Sequence, residues 1–280
     1  MISLNLRTTE PLKPLKPLII TMARKRKFKK SKGNNHNNNR KKHKQLVHYP
    51  QFFTLTLFQK INEYDSIYSF HFTGEHTIYY KPGMYVHLIK PNTRDGTLTA
   101  DSVRHMSFAS SPSHDKNIIS FAMDVGSGSM FKIAMANLQI GDQVDIFKIK
   151  YKNFEPCWKK NDKILFLAGG IGITPIRSLI HQYNKEIHFK LIHVARDDKH
   201  LYSNEFEILY NKGDENNEND KKIHWTNHEQ IENVLDTTIT QTTYKWIYIC
   251  GSDRFTKGMV QLLTDKLNVS KDILRVESFH

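Results

Sequence analysis

Apolar residues alternate with polar ones in the first structured half of the chain and run together in the second. Between residues 46 and 150, Phe52–Phe58 alternates with Thr54 and Thr56, and Ile67–Phe72, Tyr85–Ile89, Ile118–Val125 and Gln143–Phe147 are further short apolar runs. Lys81-Pro82-Gly83 and Asn92–Gly96 punctuate them as turns. Short strands at this spacing predict a barrel or a sandwich. From Asp162 the pattern becomes strand–helix–strand. Strands are predicted at Lys163–Ala168, Ile187–Ala195, Lys222–Thr226, Trp246–Cys250 and Ile273–Glu277. Helices are predicted at Thr174–Tyr183, Ser203–Tyr210, His228–Leu235 and Asp253–Leu267. This alternation predicts a parallel, doubly wound sheet. Tyr151–Lys160, carrying Pro156, reads as a linker, and the polar Asn211–Asp220 as a surface loop.

The net charge of +13 would suggest nucleic acid, but its distribution alters that picture. Residues 1–45 hold 14 of the 41 Lys/Arg and one of the 28 Asp/Glu, which leaves 27 of each for the rest. The excess lies in a tail containing Arg24–Lys30, an asparagine run and Arg40-Lys41-Lys42. Self-repulsion and few apolar residues predict disorder there. The tail is either an electrostatic arm for RNA, acidic lipid or an acidic protein, or a solvated segment without a specific partner. Met22 is an alternative start to Met1. Two cysteines, Cys157 and Cys250, are too few for a disulfide scaffold, a cysteine-ligated cluster or a structural cysteine–zinc site, so no metal site is expected. Reduced thiols suit the cytoplasm. No run approaches the ~18 apolar residues of a membrane span, and prolines and lysines interrupting Pro11–Ile20 argue against a secretory signal.

Four segments carry candidate chemistry. Ile164–Ala168 followed by Gly169-Gly170-Ile171-Gly172-Ile173-Thr174-Pro175 reads as a buried strand, a glycine turn and a helix start. Glycines allow close backbone approach, Thr174 is placed to cap the helix with Pro175 at its first position, and the helix N–H groups would face a pyrophosphate. An ordinary strand-to-helix turn has the same signature. Arg104-His105-Met106-Ser107 pairs a phosphate-binding cation with a hydroxyl donor and an apolar side chain suited to a planar ring, or it is a strand end with a surface arginine. Gly126-Ser127-Gly128-Ser129 before a short amphipathic stretch is an anion nest or a flexible hairpin loop. Cys250-Gly251-Ser252 ends a strand where open α/β sheets bind ligands, or Cys250 is a core thiol.

Taken in order, these motifs resemble the ferredoxin–NADP⁺ reductase superfamily, over roughly residues 46–280. Arg104–Ser107 matches R-x-[YFLM]-[ST]; Gly126 and Ser129 match G-x-x-S-x-x-L, with Lys132 in place of the leucine; Gly169–Pro175 matches G-G-x-G-x-T-P; Cys250-Gly251-Ser252 matches C-G-P; and Glu277 and Phe279 supply the terminal acid and aromatic. The resemblance implies an antiparallel Greek-key β-barrel that binds FAD (residues 46–155) and a doubly wound NAD(P) domain (156–280), after the tail at 1–45. It implies that Arg104 and the Gly126–Ser129 loop hold the FAD pyrophosphate, Met106 packs on the flavin, and Ser107 bonds near flavin N5. Gly169, Gly170, Gly172, Thr174 and Pro175 would form the nicotinamide dinucleotide's pyrophosphate turn, with Cys250 and Gly251 beside the nicotinamide. Glu277 would polarise that region and Phe279 would lie near the flavin. Ser107, Cys250 and Glu277 are thus the expected catalytic set, Cys250 as a positioning group rather than a nucleophile.

The implied activity is NAD(P)H oxidation through FAD to a separate acceptor, for which an acidic ferredoxin or flavodoxin suits the basic tail. The alternatives are a flavin-binding regulatory subunit without turnover and an RNA-associated protein. Arg196 and Lys199 suit NADPH and Asp197 or Asp198 NADH, with the balance toward NADPH. Three departures stand out: Met106 replaces the family's frequent tyrosine, Ser252 replaces proline, and Phe147–Phe154 lacks Gly-Pro-x-Gly. No integral iron–sulfur cluster is expected.

Overall fold

The computed structural model describes residues 51–91, 93, 98–99, 101–210 and 222–279. The basic tail, its alternative start and the loop Asn211–Asp220 lie outside these residues. The first half forms a six-stranded antiparallel sheet of β1 (Phe52–Tyr64), β2 (Ile67–Gly74), β3 (Tyr85–Ile89), β4 (Val103–Ser107), β5 (Ile118–Asp124) and β6 (Gln143–Lys150), with α1 (Met130–Ala136) between the last two. Its order, β4-β3-β6-β1-β2-β5, is a Greek key. The chain beyond β4 joins the two edges: Ala109 N–H donates to the Ser120 carbonyl at 2.8 Å, and Ser120 N–H to Ser110 Oγ at 3.0 Å. The sheet thereby curls into a barrel. The alternation in β1 turns Leu55 and Leu57 inward to meet Phe70, Phe72 and Phe121, while Phe58 faces out.

The second half holds β7 (Lys163–Gly169), α2 (Ile173–Tyr183), β8 (His188–Val194), α3 (Ser203–Tyr210), β9 (Ile223–Thr226), α4 (Ile231–Gln241), β10 (Trp246–Ser252), α5 (Asp253–Gln261) and β11 (Leu274–Phe279). Its five strands are parallel, in the order β11-β10-β7-β8-β9. The apolar run of β7 is explained by cover on both faces. Ile164, Phe166 and Ala168 enter one core with Ile176 and Leu179 of α2 and Phe206 of α3. Leu165 and Leu167 enter the other with Leu235 of α4 and Phe255 and Met259 of α5. Burying each such large side chain contributes about 1.5–3 kcal/mol. The chain winds outward from β7 to β9, then crosses to β10 on the other side. The β7–β10 border is therefore the topological switch point, where the strands' carboxyl ends open a crevice.

Two local expectations change. Thr174 does not cap α2: a single 3-10 turn, Gly170–Gly172, precedes the helix, and Thr174 lies inside its first turn, donating from Oγ1 to the Ile171 carbonyl at 2.6 Å. Pro175 is consequently the third helical residue, still where an absent N–H is harmless. Nor is Tyr151–Lys160 a free linker. Phe154 is fully buried and Trp158 packs edge-on against Phe166 and Tyr248, so the segment straps the barrel onto the α/β core. Among the described residues no helix is long and apolar enough to cross a membrane.

Candidate functional site

Barrel and α/β sheet meet around a cleft of about 430 Å³. β4 contributes Arg104, Met106 and Ser107, the glycine turn contributes Ile171 and Thr174, and β11 contributes Glu277 and Phe279. Phe131 and Lys132 of α1, Asp124 of β5 and Lys152 of the strap complete the ends. Met106 and Ser107, at the end of β4, are both buried against the cleft, whereas the preceding His105 is exposed. The Arg104 guanidinium lies 5.4 Å from the Phe131 ring and donates to the Val103 carbonyl at 2.9 Å.

Backbone geometry explains the glycine turn. Gly170 adopts φ +53°, a left-handed conformation that favours glycine. A Cβ on Gly172 would stand 2.2 Å from the Cys250 carbonyl oxygen, so only glycine lets this turn lie against the end of β10. Gly169 and Gly251 flank that contact across the β7–β10 crevice. Cys250 is fully buried and does not line the cleft. It pairs in register with Glu277 on β11. Burial, reinforced by the Glu277 carboxylate, pushes the thiol well above its ordinary range. Cys250 is thus a protonated packing group behind the acid, and this thiol is unsuited to nucleophilic attack.

Glu277 is 4% exposed, and its Oε2 has no hydrogen-bond partner. Burial pushes its pKa up, against the pull of Lys152 and the Asn153 N–H. Asp124 contrasts with it. Burial opposes its charge, but the Ser66 hydroxyl at 2.7 Å and the Gly126 N–H at 2.8 Å outweigh burial and hold it below the usual carboxylate value. Gly126 is therefore committed to Asp124, and Gly128 N–H reaches the Val125 carbonyl at 3.4 Å. Ser129 caps α1, accepting from Lys132 N–H at 3.4 Å. The loop Gly126–Ser129 stands next to the cleft wall without lining it, and Arg196 is exposed beyond β8.

The structure also reveals a half-buried cluster between barrel and α/β sheet that sequence reading missed. Arg177 of α2 forms a fork on Glu205 of α3, Nε to Oε2 at 2.7 Å and Nη2 to Oε1 at 2.6 Å. It also reaches Asp115 twice at 3.2 Å and the Ala109 carbonyl at 2.7 Å, both from the barrel half. Ser178 donates to the Ser110 carbonyl at 2.6 Å. Nitrogen and oxygen atoms of His114, His181 and Glu205 gather within 4.8 Å. The two imidazoles stack at 4.2 Å and 19°, however, so one ion could not lie in both ring planes at bonding distance. The cluster is a latch between the two halves. Its members lie 28 and 62 residues from Arg177, and no local pattern announces them.

A Greek-key barrel strapped to a doubly wound parallel sheet, with a cleft at the switch point, makes a two-domain β plus α/β fold. Residues 161–279 match the Ferric reductase NAD binding domain family. The chain is 25% identical over 237 residues to Flavohemoprotein A of Dictyostelium discoideum, covering 77% of this chain and 58% of that protein. It is 22% identical over 204 residues to the glycine betaine monooxygenase reductase subunit of Chromohalobacter salexigens, covering 66% and 52%. The chain thus spans a little over half the length of these relatives. Its fold is similar to that of the CS-b5R domains of human Ncb5or in the NAD+ form, at 20% identity, TM-score 0.64, and coverage of 83% and 71%. The family match thus covers the α/β half of the chain, and the likeness to solved structures extends the shared fold across both halves.

Proposed function

We propose that this protein is an FAD-dependent NAD(P)H oxidoreductase that passes electrons to a separate acceptor. The observation that carries this reading is the convergence of Arg104, Met106, Ser107, Thr174, Glu277 and Phe279 on one cleft from three distant stretches of chain. The residues present fit a flavin: Met106 and Phe279 supply apolar walls, Arg104 and Lys132 supply cations for a pyrophosphate, and Glu277 Oε2 lacks a partner there. A flavin held by Arg104, Met106 and Ser107 would supply the two-electron centre that takes a hydride from NAD(P)H and passes the electrons onward.

The chain's own residues orient that transfer. Ser107, which lines the cleft, would hydrogen-bond near N5. Glu277, its pKa raised by burial, would offer its unpartnered oxygen to the ring bound in the cleft. Thr174 and the turn Gly169–Pro175 present helix-end N–H groups to the nicotinamide dinucleotide's pyrophosphate, and Ser127 and Ser129 add N–H groups for that of FAD. Cys250 and Gly251 pack beneath the nicotinamide side. Arg196 is the cation for a 2′-phosphate, since Lys199 is engaged by Asp65 at 2.8 Å. The division between FAD and NAD(P) units is taken at residues 155/156, within the strap. Two free thiols suit a reducing cytoplasm.

An acidic carrier such as a ferredoxin or flavodoxin fits the face beside the cleft. Lys148, Lys150 and Lys152 occupy every second position and are exposed. They surround Tyr85, His87, His105 and Phe147. Burial first, then His105 and these lysines, push His87 down to about 4, so its ring is neutral at pH 7. A row of exposed lysines beside a neutral imidazole favours an acidic partner. Anaerobic titration of the FAD-loaded protein with NADH and with NADPH tests the reading. Bleaching of the flavin by either supports it, and a purified protein that takes up no FAD refutes it.

A further inference from the structure

The carbonyl of Gly170, the left-handed residue of the turn, accepts a hydrogen bond from an imidazole. His193, fully buried on β8, places Nε2 2.8 Å from that oxygen, and its Nδ1 lies 3.1 Å from Nδ1 of His200. A carbonyl only accepts, so His193 carries its proton on Nε2. Its Nδ1 is then a lone pair, and His200 must donate from its own Nδ1. One backbone oxygen therefore sets both tautomers. Burial pushes His193 down to about 3, which keeps its ring neutral throughout the physiological range.

We propose that His193 and His200 are positioning residues for the nicotinamide dinucleotide, tying the turn that faces its pyrophosphate to the loop that faces its adenosine half. This rests on the reading above, since it assigns both halves of that site. The loop is Arg196–His200, and it includes two successive left-handed residues, Asp197 at φ +55° and Asp198 at φ +53°. Neither is glycine, so the loop needs outside restraint to hold this shape. His200 supplies it at one end. Trp225 closes over both imidazoles, its ring 5.7 Å from His193 and 5.1 Å from His200, and shields the link from water. Cutting the link leaves each half of the site intact but no longer ordered with the other. Affinity for the whole dinucleotide falls, while hydride transfer within the bound complex is unchanged.

The test uses full-length, FAD-loaded protein and anaerobic stopped-flow bleaching by NADH and NADPH. His193→Leu should raise the Kd about tenfold and His200→Ala severalfold, with the limiting bleaching rate within twofold of the parent. His193→Gln, whose amide N–H can still donate to Gly170, should restore most of the affinity. Nitrogen-15 spectra of the parent should show His193 protonated on Nε2 and His200 on Nδ1, which needs no variant to fold. Unchanged Kd in both deletion variants, or a His193 proton on Nδ1, would overturn the proposal. So would a loss in His193→Leu that Gln does not rescue. A parent protein bleached by neither nucleotide refutes the functional reading itself, and the positioning role with it.

Discussion

Glu277 shows how one residue joins the fold to the chemistry. Its carboxyl is buried at the floor of the cleft, beside a protonated thiol, with one oxygen unpartnered. Such a group costs stability when charged. The sign follows from its raised pKa: the folded state holds the proton where the unfolded state has released it, so stability falls as pH rises through that interval. Glu277→Gln removes the charge and keeps the shape. It should raise the melting temperature at pH 8, by about 1 kcal/mol of stability, and leave it nearly unchanged at pH 4. A melting series in pH for the two proteins decides this, and an equal shift at both ends would show that the charge is not the cause. The position of Glu277 at the cleft was legible only through its place at the end of a family-like motif. Nothing local in Arg275-Val276-Glu277-Ser278 says that this acid turns inward.

At the scale of elements, β7 could be read from its sequence because cover on both faces demands an unbroken apolar run, which few other settings permit. α4 was harder. It was expected at His228–Leu235 and runs Ile231–Gln241. The β-branched run Thr237–Thr240 has poor helix propensity, yet burial of Leu235 and Thr238 carries the helix on. Thr237 and Thr240 return their hydroxyls to the carbonyls of Asn233 and Asp236, four residues back. The Arg177 latch was illegible for a different reason, since it exists only once α2, α3 and the Ser111–Asp115 segment meet. Burial opposes all its charges, but pairing wins: Glu205 is held down to about 2 and Asp115 is lowered too. Depressed carboxylates contribute stability that is present above their unfolded pKa and lost as pH falls toward 2. Arg177→Met should therefore cost about 3 kcal/mol at pH 7, at the low end for a broken buried pair, because it strands two half-buried acids. The loss should shrink progressively below pH 4, where the acids protonate. Denaturant titrations at pH 7 and pH 3 measure both numbers, and a pH-independent loss would mean that packing, not charge, holds the latch.

For the whole molecule, net charge is a poor guide to partners, because its excess belongs to residues 1–45 and the remainder balances at 27 of each sign. What matters is where uncompensated charge meets the cleft. Lys148, Lys150 and Lys152 stand beside it in a row that composition alone conceals, since each is separated from the next by an apolar residue. Two sources of steering can thus act on an acidic carrier, the lysine row and the basic tail, and they differ in range. Lys152 lines the cleft and Lys150 Nζ stands 5.7 Å from the ring of Tyr85, which also lines it, short of the Debye length of about 8 Å at physiological salt. Lys148→Gln combined with Lys150→Gln leaves every residue that lines the cleft in place. This double variant should slow reduction of an acidic carrier severalfold at low salt and flatten the dependence of that rate on ionic strength. A small neutral dye should be reduced as before. Removing residues 1–45 provides the comparison. If the row docks the carrier, the double variant loses rate even in the shortened chain. If the tail alone attracts it, truncation removes the salt dependence and the double variant adds nothing.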